Sequence, residues 1–175
     1  VPKIDGLRDE NGNVKPEYKV CLDVYGHEKE LGHHVVCIGG SETAIETAMY
    51  LAENGHDVTL WSHDPAKAAQ MAESRENSKL KGVRLPDALH IGGDLDCLIG
   101  AELVVCAAPS FAVRETGKKI APYLTEKTVL VSVSKGIERD TNLRMSQILE
   151  DVTQNICKVF ALSGPSHAEE LSIRQ

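Results

Sequence analysis

Aromatic residues are scarce in this chain of 175 residues, which has one tryptophan, two phenylalanines and four tyrosines. Valine, isoleucine, leucine and alanine fill the apolar quota instead, a composition suited to strands buried between helices. Positive charge is also in deficit. The formal net charge is −7, and with no basic stripe to neutralise phosphates the composition argues against a nucleic-acid partner. Five cysteines stand at 21, 37, 97, 106 and 157 without a CxxC pair. Neither a zinc site nor a disulfide framework is expected, and reduced thiols in a cytoplasmic protein are the reading. No apolar run of membrane-spanning length and no signal peptide occur. The chain opens on Val1 rather than methionine, so a piece of something longer is expected.

Residues 1–34 are polar, with turn signals at Asp5-Gly6 and Asn11-Gly12 and little sustained periodicity. They read as a partly irregular lead-in, with a short helix near 21–30. From Val35 to Gln175 strand and helix signals alternate. Apolar runs at 35–39, 57–61, 102–108, 128–134 and 158–164 read as strands, and helices are expected over 42–54, 65–73, near 110–121 and near 141–151. Gly55 stands where a helix C-cap belongs, and Pro65 where a helix starts. Strict alternation implies right-handed crossovers and a parallel sheet. The fold class is therefore α/β, a Rossmann-type doubly wound sheet forming one domain behind an N-terminal extension.

The turn after the first strand, GGSETA, lacks two of the three glycines of the dinucleotide fingerprint. Its three positions read Gly39, Ser41 and Ala44. The first glycine makes the turn, the second admits a pyrophosphate to the backbone, and the third permits close helix packing, where alanine is an accepted variant. Serine at the second place either crowds a phosphate with its Cβ or helps through its hydroxyl, by capping the helix or bonding the phosphate. Such a turn also folds without any ligand. Past the second strand stand His63, which can face a 2′-phosphate, and Asp64, slightly late for a ribose contact; NAD and NADP both stay open. Trp61 ends that strand near the expected adenosine.

Three later motifs fall at carboxyl ends of strands, where open α/β sheets bind ligands. AAPSFAVRE (107–115) opens a helix at Pro109 and Ser110. SVSKGIE (132–138) places Lys135 beyond the next strand. LSGPSHAEE (162–170) carries an S-x-x-E capping box at Ser166 and Glu169. Together with NGHDVTLWSHDP, GVRLPDALH and DLDCLIGAELVVCAAPSFAVRE, these stretches closely resemble, from about Asn54 onward, the N-terminal domain of NAD(P)-dependent glycerol-3-phosphate dehydrogenase.

The resemblance implies hydride transfer between a nicotinamide and dihydroxyacetone phosphate, a small phosphorylated substrate, with no metal. It makes Lys135 a contact of both cofactor and substrate, and Gly164 and Ser166 part of the substrate site. Ala168 and His63 match cofactor contacts; Gly39, Ser41, Glu42, Thr43 and Ala44 of the loop, with Pro109 at the carboxyl end of its strand, are the other candidate cofactor-binding residues. The family's loop normally has three glycines, with an aromatic residue where Thr43 stands here. The family's helical C-terminal domain, which supplies a proton-transfer lysine, would lie beyond Gln175. The chain is thus expected to be inactive alone, and to self-associate if that domain's absence bares an apolar crevice.

The front of the chain resembles a second family. VPKIDGL and DVYGHEKELGHHVVCIGGSETAIETAMYLAENGHDVT look like the NAD(P)H-binding domain of old-yellow-enzyme-type flavin reductases, with Glu46 matching a glutamate of that family's loop. A chimera joined within residues 50–60 is one expectation, and a divergent dehydrogenase with an N-terminal extension the other. Three functions follow: the cofactor half of a dehydrogenase, a module passing hydride to a flavin, or a scaffold without ligand.

Overall fold

The computed structural model describes residues 32–162. Over this span six parallel strands form one sheet in the order β5-β2-β1-β6-β7-β8, with β1 His34–Ile38, β2 Asp57–Trp61, β5 His90–Gly92, β6 Leu103–Cys106, β7 Val129–Ser132 and β8 Lys158–Ala161. A separate two-stranded hairpin pairs β3 Glu76–Asn77 with β4 Leu80–Arg84. The expected Rossmann-type sheet is therefore present: the strand expected at 57–61 is found with those bounds, that at 35–39 one residue earlier, those at 102–108 and 128–134 shortened at both ends, and that at 158–164 over Lys158–Ala161. The hairpin and β5 were not expected.

Helix α1 (Glu42–Glu53) follows β1 because Ser41 caps it and Ala44, Ile45, Ala48, Leu51 and Ala52 recur on one buried face. It ends in a Schellman motif. Gly55 takes φ +88°, its N–H donates to the Ala52 carbonyl, and the His56 N–H reaches back to the Leu51 carbonyl. Helix α2 (Pro65–Ser74) starts on proline behind an Asp64 cap. Helix α3 (Val113–Ile120) is preceded by a 3-10 turn at Ser110–Ala112, and α4 is Met145–Thr153.

Successive residues of a strand face opposite ways. Val36 and Ile38 of β1 join Val104, Cys106 and Leu130 in a core with Val113 and Ile120 of α3 and Ile148 and Leu149 of α4. Val35 and Cys37 face the other way, where α1 packs on β1 and β2. Burial on that face pushes the Cys37 thiol up to about 12, and burial in the α3–α4 core raises the Cys106 thiol as well, so both are packing groups. Gly117 brings α3 and α4 together, since a Cβ on it would lie 2.6 Å from Val152 Cγ2. Among the described residues no helix is long and apolar enough to cross a membrane.

Candidate nucleotide-binding site

The sheet runs outward from β1 in both directions, to β2 on one side and β6 on the other. Connections therefore leave β1 and β6 toward opposite faces, and a crevice opens between them at their carboxyl ends. Three loops border it: 39–41 after β1, 107–112 after β6, and 133–137 after β7.

Gly39 makes the first loop possible. Its φ is +128°, and a Cβ there would stand 2.8 Å from the Ala107 carbonyl oxygen. No other residue fits this close approach, which the Ala107 N–H fastens by donating to the Ile38 carbonyl at 2.9 Å. Gly40 differs: a Cβ there would meet nothing within 4 Å, so space lies open over the turn.

Ser41 does not need to be glycine here. Its backbone is extended, with φ −79° and ψ 158°, and its Oγ accepts the Ala44 N–H at 3.3 Å as the α1 cap. Its hydroxyl also faces the Ala107 carbonyl, at 3.5 Å. Ala44 is fully buried, in keeping with the packing role of the third loop position. Glu42 and Thr43 lie exposed in the first turn, where backbone N–H groups have no helical acceptor and the helix dipole favours an anion. The Glu42 carboxylate sits beside that spot. It also raises the pKa of Glu46 one turn on, behind the larger effect of partial burial.

Past β2, His63 is exposed. The Asp64 Oδ1 accepts from the Ala66 and Lys67 N–H groups at 3.1 and 3.2 Å. The backbone bond from Lys67, first, and then its ammonium hold the Asp64 carboxyl below its ordinary value. Asp64 is therefore the cap of α2. Trp61 is only 5% exposed and packs in the core with Ile38 and Leu98. Its indole N–H has no acceptor among the described residues.

The far wall is built from Pro109, Ser110 and Lys135. Pro109 leads into the 3-10 turn before α3 as expected. Lys135 is exposed in the loop after β7. Before it, the Ser134 hydroxyl donates to the Ala108 carbonyl at 2.6 Å. After it, Gly136 takes φ +128°, and a Cβ there would meet the Ser110 Cβ at 3.2 Å. Two residues further, the Arg114 guanidinium grips both carboxylate oxygens of Glu138 at 2.8 Å and reaches Asp151 at 2.6 Å. That guanidinium, with a bond from the Thr141 hydroxyl, lowers the Glu138 carboxyl to about 2. Arg114 and Glu138 were missed as site residues, although each lies within a motif singled out for its neighbours. Gly164, Ser166 and Ala168, with the capping box, lie outside the described residues, as do residues 1–31. Among the described residues no group of three or more His, Cys, Asp or Glu is arranged to hold a metal.

A glycine pressed on the neighbouring strand, a capped helix aimed into a switch-point crevice and a lysine opposite define a Rossmann-type nucleotide-binding architecture. The sequence model described as "NAD-dependent glycerol-3-phosphate dehydrogenase N-terminus" matches residues 34–175, and the chain belongs to that family. Glycerol-3-phosphate dehydrogenase [NAD(P)+] of Chlorobium luteolum is 40% identical over 146 residues, which cover 81% of this chain and 44% of the relative. That of Chlorobium phaeobacteroides is 44% identical over 138 residues, covering 77% and 41%. The crystal structure of glycerol-3-phosphate dehydrogenase from Coxiella burnetii superposes with a TM-score of 0.69 at 26% identity, over 80% of this chain and 43% of that one. The chain thus spans less than half the length of these relatives.

Proposed function

We propose that the chain is the nucleotide-binding half of a glycerol-3-phosphate dehydrogenase, taking NADH or NADPH with its pyrophosphate against Gly39–Ala44. The observation that carries the reading is the Gly39 turn. It is held against Ala107 at a distance no side chain tolerates, and it directs the α1 N-terminus into the crevice. The open space over Gly40 admits the phosphates, and Ser41 spends its hydroxyl on the Ala44 N–H, leaving the N–H groups of Glu42 and Thr43 for the ligand. By the family resemblance His63 and Ala168 are cofactor contacts and Gly164 and Ser166 belong to the substrate site, with Pro109 a further cofactor contact in this reading.

The bound nicotinamide supplies the hydride for reduction of dihydroxyacetone phosphate to sn-glycerol 3-phosphate. Lys135 steadies the polarised carbonyl oxygen or the substrate's negative charge through its ammonium. The proton-transfer lysine belongs, by family resemblance, to the helical domain, so residues 1–175 are read as binding the nucleotide and turnover as requiring that domain joined to them. Calorimetric titration with NADH and NADPH tests the first half of the reading. Saturable binding that weakens in Lys135→Ala supports it, and no heat from a folded sample overturns it. Dihydroxyacetone phosphate-dependent oxidation of NADH by the chain alone would overturn the second half.

The flavin-reductase likeness supports a further proposal, that the front of the chain was joined from another gene. The family match reaches back to residue 34, so residues 1–33 and Glu46 are what that proposal rests on. A genomic read through the codons for residues 25–65 decides it, an uninterrupted native frame being the outcome that removes it.

A further inference from the structure

We propose that the Arg114–Glu138 pair is a positioning device for Lys135, fixing the loop that presents the lysine by tying it to helix α3. What Lys135 meets there rests on the nucleotide-binding reading above. The device itself rests on geometry.

Lys135 stands between two anchors. On its N-terminal side the Val133 N–H donates to the Cys106 carbonyl at 3.0 Å and the Ser134 hydroxyl to the Ala108 carbonyl. On its C-terminal side the chain turns back on itself. Ile137 bridges to Arg144, the Glu138 N–H donates to the Leu143 carbonyl at 2.9 Å, and the Asn142 N–H donates to the Glu138 carbonyl at 2.9 Å. That closed turn would still pivot as a unit about Gly136. Its connection to α3 is the Glu138 carboxylate, held by both arms of one guanidinium.

A two-armed arginine–carboxylate contact fixes distance and angle together, which a single-point ammonium contact does not. Arg114 lies in the first turn of α3, just past the 3-10 turn at Ser110–Ala112, so it belongs to the same wall of the crevice as Pro109, Ser110 and Lys135. Its remaining arm bonds Asp151 of α4, which holds the guanidinium plane while it grips the loop. Gly136 completes the arrangement by letting the loop lie against Ser110. The pair is partly exposed, at 25% and 21% for the two side chains, where ion pairs contribute little to global stability. Its effect on global stability is therefore small beside its effect on where the loop sits.

The experiment compares the wild-type chain with Glu138→Gln, which removes the charge, and Glu138→Asp, which restores it on a shorter arm. Three quantities are read: amide exchange at Gly136 and Ile137 against Val36 and Cys37, the 13Cε resonance of Lys135, and affinity for NADH and NADPH. In Glu138→Gln, exchange at 136–137 is expected to rise about tenfold with the β1 amides unchanged, and nucleotide affinity to fall about tenfold, the scale of one charge-assisted contact. Glu138→Asp recovers most of both. Unchanged exchange at 136–137 overturns the device, and so does faster exchange with undiminished affinity. If the wild-type chain binds neither nucleotide, the functional reading fails. The Lys135 13Cε signal then decides the device alone: a shift in Glu138→Gln that Glu138→Asp reverses supports it, and an unmoved signal overturns it.

Discussion

Gly39 and Gly40 are adjacent glycines with opposite demands, and substituting each in turn separates folding from binding. Gly39→Ala drives a methyl group into the Ala107 carbonyl at a positive φ and is expected to cost about 3 kcal/mol. Thermal unfolding would read this as a drop of roughly 6–12 °C for a domain of this size. Gly40→Ala meets nothing, so its melting point should stay near wild type while calorimetry registers weaker nucleotide binding. Glu138 gives a pH signature. Arg114 and the Thr141 hydroxyl hold its carboxyl at about 2, with Lys118 adding a smaller effect and Asp151 sharing the guanidinium. An unfolded glutamate titrates near 4.3. The stabilisation is thus complete above that value and lost as pH falls toward 2. Urea midpoints measured across this window should fall less steeply for Glu138→Gln than for wild type. Such pairings were the least legible part of the site. The sequence places Lys135 beyond a strand through its flanking motif, but nothing in "AVRE" or "KGIE" says that Arg114 and Glu138 meet. Ser41 was ambiguous for a related reason: capping and phosphate contact demand the same residue type, and only its backbone angles and the Ala44 N–H separate them.

At the level of elements, the helices were legible wherever a start or stop signal coincided with periodicity. Ser41 and Gly55 bracket α1, and Pro65 behind Asp64 opens α2. The β3–β4 hairpin escaped because its strands are short and mostly exposed, so no buried alternation marks them. Strand β5 escaped because three residues pairing with Thr59–Trp61 leave no pattern to read. The closeness of α3 and α4 was likewise invisible until Gly117 met Val152. Glycine inside a helix costs about 1 kcal/mol relative to alanine, so its presence here reflects packing. Gly117→Ala should destabilise the domain by about 1–2 kcal/mol net, because the clash with a stiff valine methyl exceeds the gain in propensity. Denaturant unfolding would detect the loss, and Gly117→Ala combined with Val152→Ala should recover part of it. An unaltered midpoint in the single variant would mean that the helices separate freely.

For the molecule as a whole, strand–helix alternation was enough to place the sheet and its crevice, because parallel strands with right-handed crossovers admit few arrangements. What covers the crevice was open to inference only from family resemblance. Phe111 is 88% exposed and Ile137 64% exposed, and the residues beside them, Ser110 and Gly136, nearly touch. Two bare apolar side chains at one mouth favour association. Sedimentation velocity should therefore find concentration-dependent self-association that Phe111→Ser reduces; a strictly monomeric wild-type chain at high concentration would refute it. The position of β1 has a last consequence, in time rather than space. β1 is central in the sheet, yet its partner β6 lies far along the chain, Val35 pairing with Leu103. At synthesis rates of about 5–20 residues per second, one edge of the nascent β1–β2 pair stays unsatisfied for several seconds after it emerges. During translation the nucleotide crevice does not yet exist, and the same strand edge is open to any other chain that arrives first.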